Sequence, residues 1–121
     1  MRLLIVDDER AIQRLFLQRF RKECRDKLLE LHFAFSASEA LTFLQQETAS
    51  DLALILSDIN MPNMSGLELL EIVRKKYPRL RIFMLTAYDN ADLRQRVLSM
   101  GADEYLTKPV DFQLLREKLF G

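Results

Sequence analysis

The chain has 121 residues, of which 49% are hydrophobic, which gives room for one domain around one core. Lys+Arg and Asp+Glu both number 18, and that balance argues against a nucleic acid or a membrane surface as the direct partner. Cys24 is the only cysteine, so no disulfide forms within the chain, and a cytoplasmic setting is expected.

The opening apolar run, "LLIV" at 3–6, predicts a strand. It is shorter than the ~7–15 residue core of a signal peptide, and nothing later approaches the ~18 apolar residues of a membrane span. Ile12, Leu15, Phe16 and Phe20 then recur at helical spacing. The stretch "RKECRDKLLELHF" that follows has no glycine, so this first helix is expected to run long or to end irregularly. A second strand is predicted at "LELHFAF" (29–35), and Ser36 with Glu39 reads as the capping box of a helix carrying Ala37, Ala40, Leu41 and Leu44. The third strand is "LALIL" at 52–56, and its helix carries Leu69, Leu70, Val73 and Tyr77 before Pro78. The fourth pair is "RIFML" at 81–85 and a helix with Leu93, Val97 and Met100, closed at Gly101. The last is "EYLT" at 104–107 and a helix with Phe112, Leu115 and Leu119. Mostly all-apolar strands alternating with helices imply a single doubly wound α/β domain over residues 1–121, with a parallel sheet of about five strands.

Polar residues recur at one position in this pattern. Asp7 and Asp8 follow the first strand, Asp58 the third, Thr86 the fourth and Lys108 the fifth. In an open parallel sheet those strand ends share one edge, where ligands bind. Three converging carboxylates repel one another and favour a hard cation, which points to Mg2+. Neutralising Asp7 or Asp8 is therefore expected to cost the metal-free protein nothing. A carboxylate beside Mg2+ and a lysine can attack phosphorus, with Lys108 offsetting charge on the phosphoryl oxygens and the Thr86 hydroxyl hydrogen-bonding one of them.

The pieces "LIVDDE" (4–9), "LILSDINMPNMSGLELL" (54–70), "MLTAY" (84–88) and "GADEYLTKP" (101–109) together resemble the receiver domains of two-component response regulators. The resemblance implies a flavodoxin-like sheet of order 2-1-3-4-5 flanked by five helices. It implies that Asp58 is the phosphoacceptor, that Asp7, Asp8, Asp58 and the Asn60 backbone carbonyl hold Mg2+, and that Lys108 contacts the phosphoryl group. Thr86 and Tyr105 would be the switch pair, Asn60 and Tyr88 would border the path of the hydrolytic water, and the Lys108–Pro109 bond would be cis. The partners implied are a sensor histidine kinase or histidine phosphotransfer protein, and an output domain or protein reached through the face of the fourth helix, fifth strand and fifth helix. A second copy, bound on phosphorylation, is a further candidate.

Each residue also has a plainer reading. Asp7 and Asp8 could cap a helix, Lys108 could be a solvated loop lysine, Thr86 could simply end a strand and Tyr105 could be core. His32, the only histidine, reads as surface or satisfied core, and Cys24 as structural. The function expected is a phosphorylation-controlled switch rather than an enzyme with sustained turnover. The alternative weighed is a small Mg2+-dependent phosphohydrolase using Asp58 as nucleophile. Such enzymes place a second Asp two residues on as general acid and base, and here that residue is Asn60, which cannot transfer the proton. A contact-only binding module ranks behind both, because every position of the expected site is filled.

Overall fold

A computed structural model describes residues 1–121, the side chains of residues 47 and 48 excepted. Its strands are β1 (Arg2–Val6), β2 (Glu30–Ala34), β3 (Leu52–Asp58), β4 (Arg81–Thr86) and β5 (Glu104–Thr107). They form one sheet of order β2-β1-β3-β4-β5 in which every neighbouring pair is parallel. The helices are α1 (Arg10–Arg19), α2 (Arg21–Arg25), α3 (Ala37–Leu44), α4 (Gly66–Lys76), α5 (Ala91–Ser99) and α6 (Phe112–Phe120).

The period-two alternation of the strands divides the core into two layers. Leu4, Val6, Ile55, Ile82 and Met84 face α3, α4 and α5 through Ala40, Leu70, Val73 and Val97. Leu3, Ile5, Leu54, Leu56 and Phe83 face the other way, against Phe16, Phe20, Phe112 and Leu115 of the α1, α2 and α6 side. With both faces covered, the central strands can be apolar at nearly every position, as a parallel sheet requires. The winding reverses between β1 and β3, so the loops after these two strands diverge and open a crevice at the carboxyl edge.

The helix starts follow their caps. Ser36 accepts from the Glu39 N–H at 3.0 Å, Ser65 from Glu68, Asn90 from Leu93 and Asp111 from Leu114. Gly101 takes φ +104°, the left-handed turn expected after the fourth predicted helix.

Three expectations are refined. The first predicted helix is two segments, α1 and α2, broken at Phe20 (φ −104°, ψ 20°), so six helices flank the sheet instead of five. The reason is local: the buried Phe20 ring packs 6.0 Å from Phe16 and 5.5 Å from Phe112, while Arg116 donates to the Arg19 carbonyl at the end of α1. The turn that follows uses Lys27 at φ +59° where a glycine is usual. Leu15, expected in the core, is 37% exposed because it lies off the face that carries Phe16. Strands β3 and β4 also run further than predicted, so Asp58 and Thr86 are the last residues of their strands and do not follow them.

Candidate functional site

The sheet register aligns the site. Val6 pairs with Ser57, Asp58 with Leu85, and Thr86 with Thr107, so the residues at or just beyond these positions meet at one edge. Asp7, only 3% exposed, is fixed at both carboxylate oxygens: Oδ1 accepts the Glu9 N–H at 2.9 Å and Oδ2 accepts Lys108 Nζ at 2.8 Å. Lys108 reaches across from the end of β5, where its own N–H donates to the Thr86 carbonyl at 2.7 Å and its bond to Pro109 is cis. Its Nζ also lies 3.5 Å from Asp58 Oδ1. Asp8 is exposed beside them, and one carboxylate oxygen from each of Asp7, Asp8 and Asp58 falls within 4.8 Å of the others. This is an acidic cluster able to hold a metal ion, and hard oxygen donors suit Mg2+ or a similar cation.

The charges are unevenly settled. Burial raises the Asp58 carboxyl above the usual carboxylate range, and Asp7 pushes the same way, while Lys108 and the Asn60 backbone N–H pull against them. For Lys108, burial favours the neutral amine, but the hydrogen bond and charge of Asp7, with Asp58 and Glu9 behind it, outweigh that and hold the ammonium above the ordinary lysine value. Lys108 is thus committed to Asp7 first and Asp58 second. Of the two buried acids that share Lys108, Asp58 is the one held at the longer distance.

The remaining expected residues lie around this centre. Thr86 is fully buried, and its Oγ1 accepts the Tyr88 N–H at 3.2 Å. Tyr105 is turned inward at 2% exposure, with its hydroxyl donating to the Tyr88 carbonyl at 2.6 Å. The backbone of Tyr88 therefore touches both members of the expected switch pair, although the residue as a whole is 65% exposed. Asn60 is exposed in the loop after β3. Sequence reasoning did not single out Glu9, whose N–H orients Asp7, or Ser57, whose buried hydroxyl donates to the Asp58 carbonyl at 3.0 Å. A main-chain donor has no side-chain signature, but a serine directly before the aspartate inside an apolar strand was a visible signal. On the neighbouring face, a cleft of about 410 Å3 opens between β5 and α6, with Arg94, Tyr105, Leu114 and Lys118 in its lining.

Residues 3–120 match the family described as the response regulator receiver domain. The chain is 36% identical over 118 residues to the response regulator protein FleR of Pseudomonas aeruginosa, covering 94% of this chain but only 23% of FleR. It is 34% identical over 121 residues to a chemotaxis protein CheY homolog of Campylobacter jejuni, covering 98% of this chain and 89% of that protein. Among solved structures, a CheY-like response regulator receiver domain protein from Methanospirillum hungatei superposes with a TM-score of 0.83 at 36% identity, covering 98% of this chain and 89% of that one. No helix among the described residues is long and apolar enough to cross a membrane.

Proposed function

Because the chain belongs to the response regulator receiver domain family, we propose that it is a phosphorylation-controlled switch whose phosphoacceptor is Asp58. The observation that carries this reading is the meeting of Asp7, Asp8, Asp58 and Lys108 at one sheet edge, with Asp58 buried and farther from the Lys108 ammonium than Asp7 is.

In the reaction, an Asp58 carboxylate oxygen attacks the phosphorus of a phosphohistidine on a sensor kinase or phosphotransfer protein. A new O–P bond forms, the P–N bond breaks, and its electron pair stays with the imidazole. Lys108 offsets charge on the transferred oxygens, and Thr86 turns its hydroxyl toward one of them. Asp7, Asp8, Asp58 and the Asn60 carbonyl are the ligands we assign to Mg2+, and their hard oxygens and mutual repulsion fit it. When bound, the ion neutralises phosphoryl charge during transfer. Asp7 does two jobs in this scheme, holding the Lys108 ammonium and offering an oxygen to the metal site. The comparisons lend nothing to the phosphohydrolase alternative, and the Asn60 side chain supplies no general base for it. A cytoplasmic location, a single domain spanning 1–121, and an output partner or second copy at the α5–β5–α6 face complete the proposal.

The test is labelling. With Mg2+ and acetyl phosphate the wild type is expected to gain one phosphoryl group by intact mass, while Asp58→Asn gains none at that site. Equal labelling of the mutant would remove Asp58 as acceptor.

The lifetime of the signal depends on a water in line with the new O–P bond. We assign Tyr88 and Asn60 to the border of that path, with the bulk of Tyr88 excluding water more than Asn60 helps to hold it. Tyr88→Ala is expected to shorten the half-life of the Asp58 phosphate several-fold. Decay as slow as in the wild type would show that Tyr88 is not the gate.

A further inference from the structure

Gly66 opens α4 and is buried directly beneath the acceptor strand. Its N–H donates to the Ile59 carbonyl at 2.8 Å. A Cβ built at this position would lie 2.1 Å from the Asp58 carbonyl oxygen, 2.8 Å from Ile59 Cα and 3.0 Å from the Asp58 carbonyl carbon. All three are backbone atoms of the acceptor and its neighbour, so no side chain can rotate away to make room.

Neither element is free to retreat. The helix is anchored by Leu69, Leu70 and Val73, all fully buried. The strand is held by the pairing of Asp58 with Leu85 and by the Ile59 N–H, which donates to the Leu85 carbonyl at 2.9 Å. The Asp58 carbonyl itself also accepts from the Ser57 hydroxyl at 3.0 Å. We infer that Gly66, together with Ser57, is a positioning residue for phosphotransfer: the bare glycine lets α4 seat the Asp58 peptide where its carboxylate faces Lys108 and the acidic pair. This inference rests on Asp58 being the acceptor.

A methyl group at 66 must push the Asp58 peptide away by roughly 1 Å, and misplacement on that scale costs a reaction built on positioning about 10²-fold. The direct Asp58–Lys108 approach, already 3.5 Å, is the contact that such a shift disturbs. Removing the Ser57 hydroxyl loosens the same carbonyl without adding bulk, so its effect is smaller, about three- to ten-fold.

The experiment measures the rate of Asp58 labelling by acetyl phosphate and Mg2+ in the wild type, Gly66→Ala, Ser57→Ala and Val73→Ala. Each rate is corrected for the folded fraction from urea melts. Val73→Ala lowers stability through the same helix but touches neither Asp58 nor Lys108, so its corrected rate should match the wild type. Gly66→Ala should fall ten- to a hundredfold, with amide NMR shifts in the metal-free protein concentrated at residues 57–60. A corrected Gly66→Ala rate equal to that of Val73→Ala overturns the inference. If Gly66→Ala does not fold, Ser57→Ala decides, and a wild-type rate there overturns it. A wild type that is labelled somewhere other than Asp58 would instead overturn the acceptor assignment, which keeps the two failures apart.

Discussion

Among single residues, the three acids of the site are not equivalent, although charge counting from the sequence treats them alike. Asp7 has both oxygens occupied and forms the close pair with Lys108, Asp8 projects into solvent, and Asp58 is buried with its carboxyl raised. The expectation that Asn at 7 or 8 costs nothing therefore divides. Asp8→Asn should be near neutral without metal, because solvent screens its repulsion. Asp7→Asn should lower stability by about 1–3 kcal/mol, since it breaks a buried pair but leaves Lys108 the second partner Asp58. Asp58→Asn should raise stability, by up to about 1 kcal/mol. The pH dependence follows from the direction of the Asp58 shift. A raised carboxyl holds its proton longer in the folded state than in the unfolded chain, so the wild type loses stability relative to Asp58→Asn as pH rises through that interval. Below the ordinary carboxylate range both states are protonated and the difference vanishes. Urea melts of the four metal-free proteins across acidic to neutral pH test this; an Asp7→Asn protein as stable as the wild type would contradict the pairing.

At the scale of elements, the strands and the α3, α4 and α5 helices were legible because period and punctuation agree. Apolar runs end in polar residues, and Ser36, Pro78 and Gly101 mark boundaries with side-chain or backbone chemistry. The break in the first helix was not legible, because its causes lie elsewhere in the chain. Phe20 turns inward to meet Phe112, and the Arg19 carbonyl is taken by Arg116, 97 residues away. The same arginine donates from Nε to Glu23 at 2.7 Å, and its guanidinium stands 5.0 Å over the Phe20 ring. Arg116 thereby ties α6 to both sides of the break. The hydrogen bond from Arg116 holds the Glu23 carboxyl below the usual range against the opposing effect of burial. Its stabilisation is present above the ordinary carboxylate pKa and is lost as pH falls through the lowered one. Arg116 is partly exposed, so the pair is screened, and a double-mutant cycle of Glu23→Gln and Arg116→Ala should give a coupling of about 0.5–1 kcal/mol that shrinks with salt. A coupling of zero at low salt would mean that the Glu23–Arg116 pair adds nothing to the hold of α6 on the break.

For the whole molecule, the question is how a group on Asp58 is felt at the α5–β5–α6 face. The convergence of Asp7, Asp8, Asp58 and Lys108 at the edge was legible from strand-end positions alone, but the link between Thr86 and Tyr105 was not, because it runs through main-chain atoms. The Tyr88 N–H donates to the Thr86 hydroxyl, and the Tyr88 carbonyl accepts from the Tyr105 hydroxyl. Behind Tyr105, the Arg94 guanidinium of α5 lies 5.6 Å from its ring centre. On the proposed reading, a phosphoryl group that hydrogen-bonds Thr86 withdraws the hydroxyl from the Tyr88 N–H. The loop carrying Tyr88 must then find a new arrangement. Tyr105 touches that loop from the output side through its hydroxyl, and Arg94 stands over the Tyr105 ring. A ligand shifts such an equilibrium only through contacts that differ between its two states, and here the Thr86 hydroxyl is the differing contact. Thr86→Ala should therefore accept a phosphoryl group on Asp58 yet uncouple the face. Amide NMR shifts induced by beryllofluoride with Mg2+ should stay close to wild type around Asp58, while those at Arg94, Leu106 and Leu114 drop to a small fraction of the wild-type changes. Full wild-type shifts at those three positions in the mutant would show that the signal leaves the site by a route that bypasses Thr86.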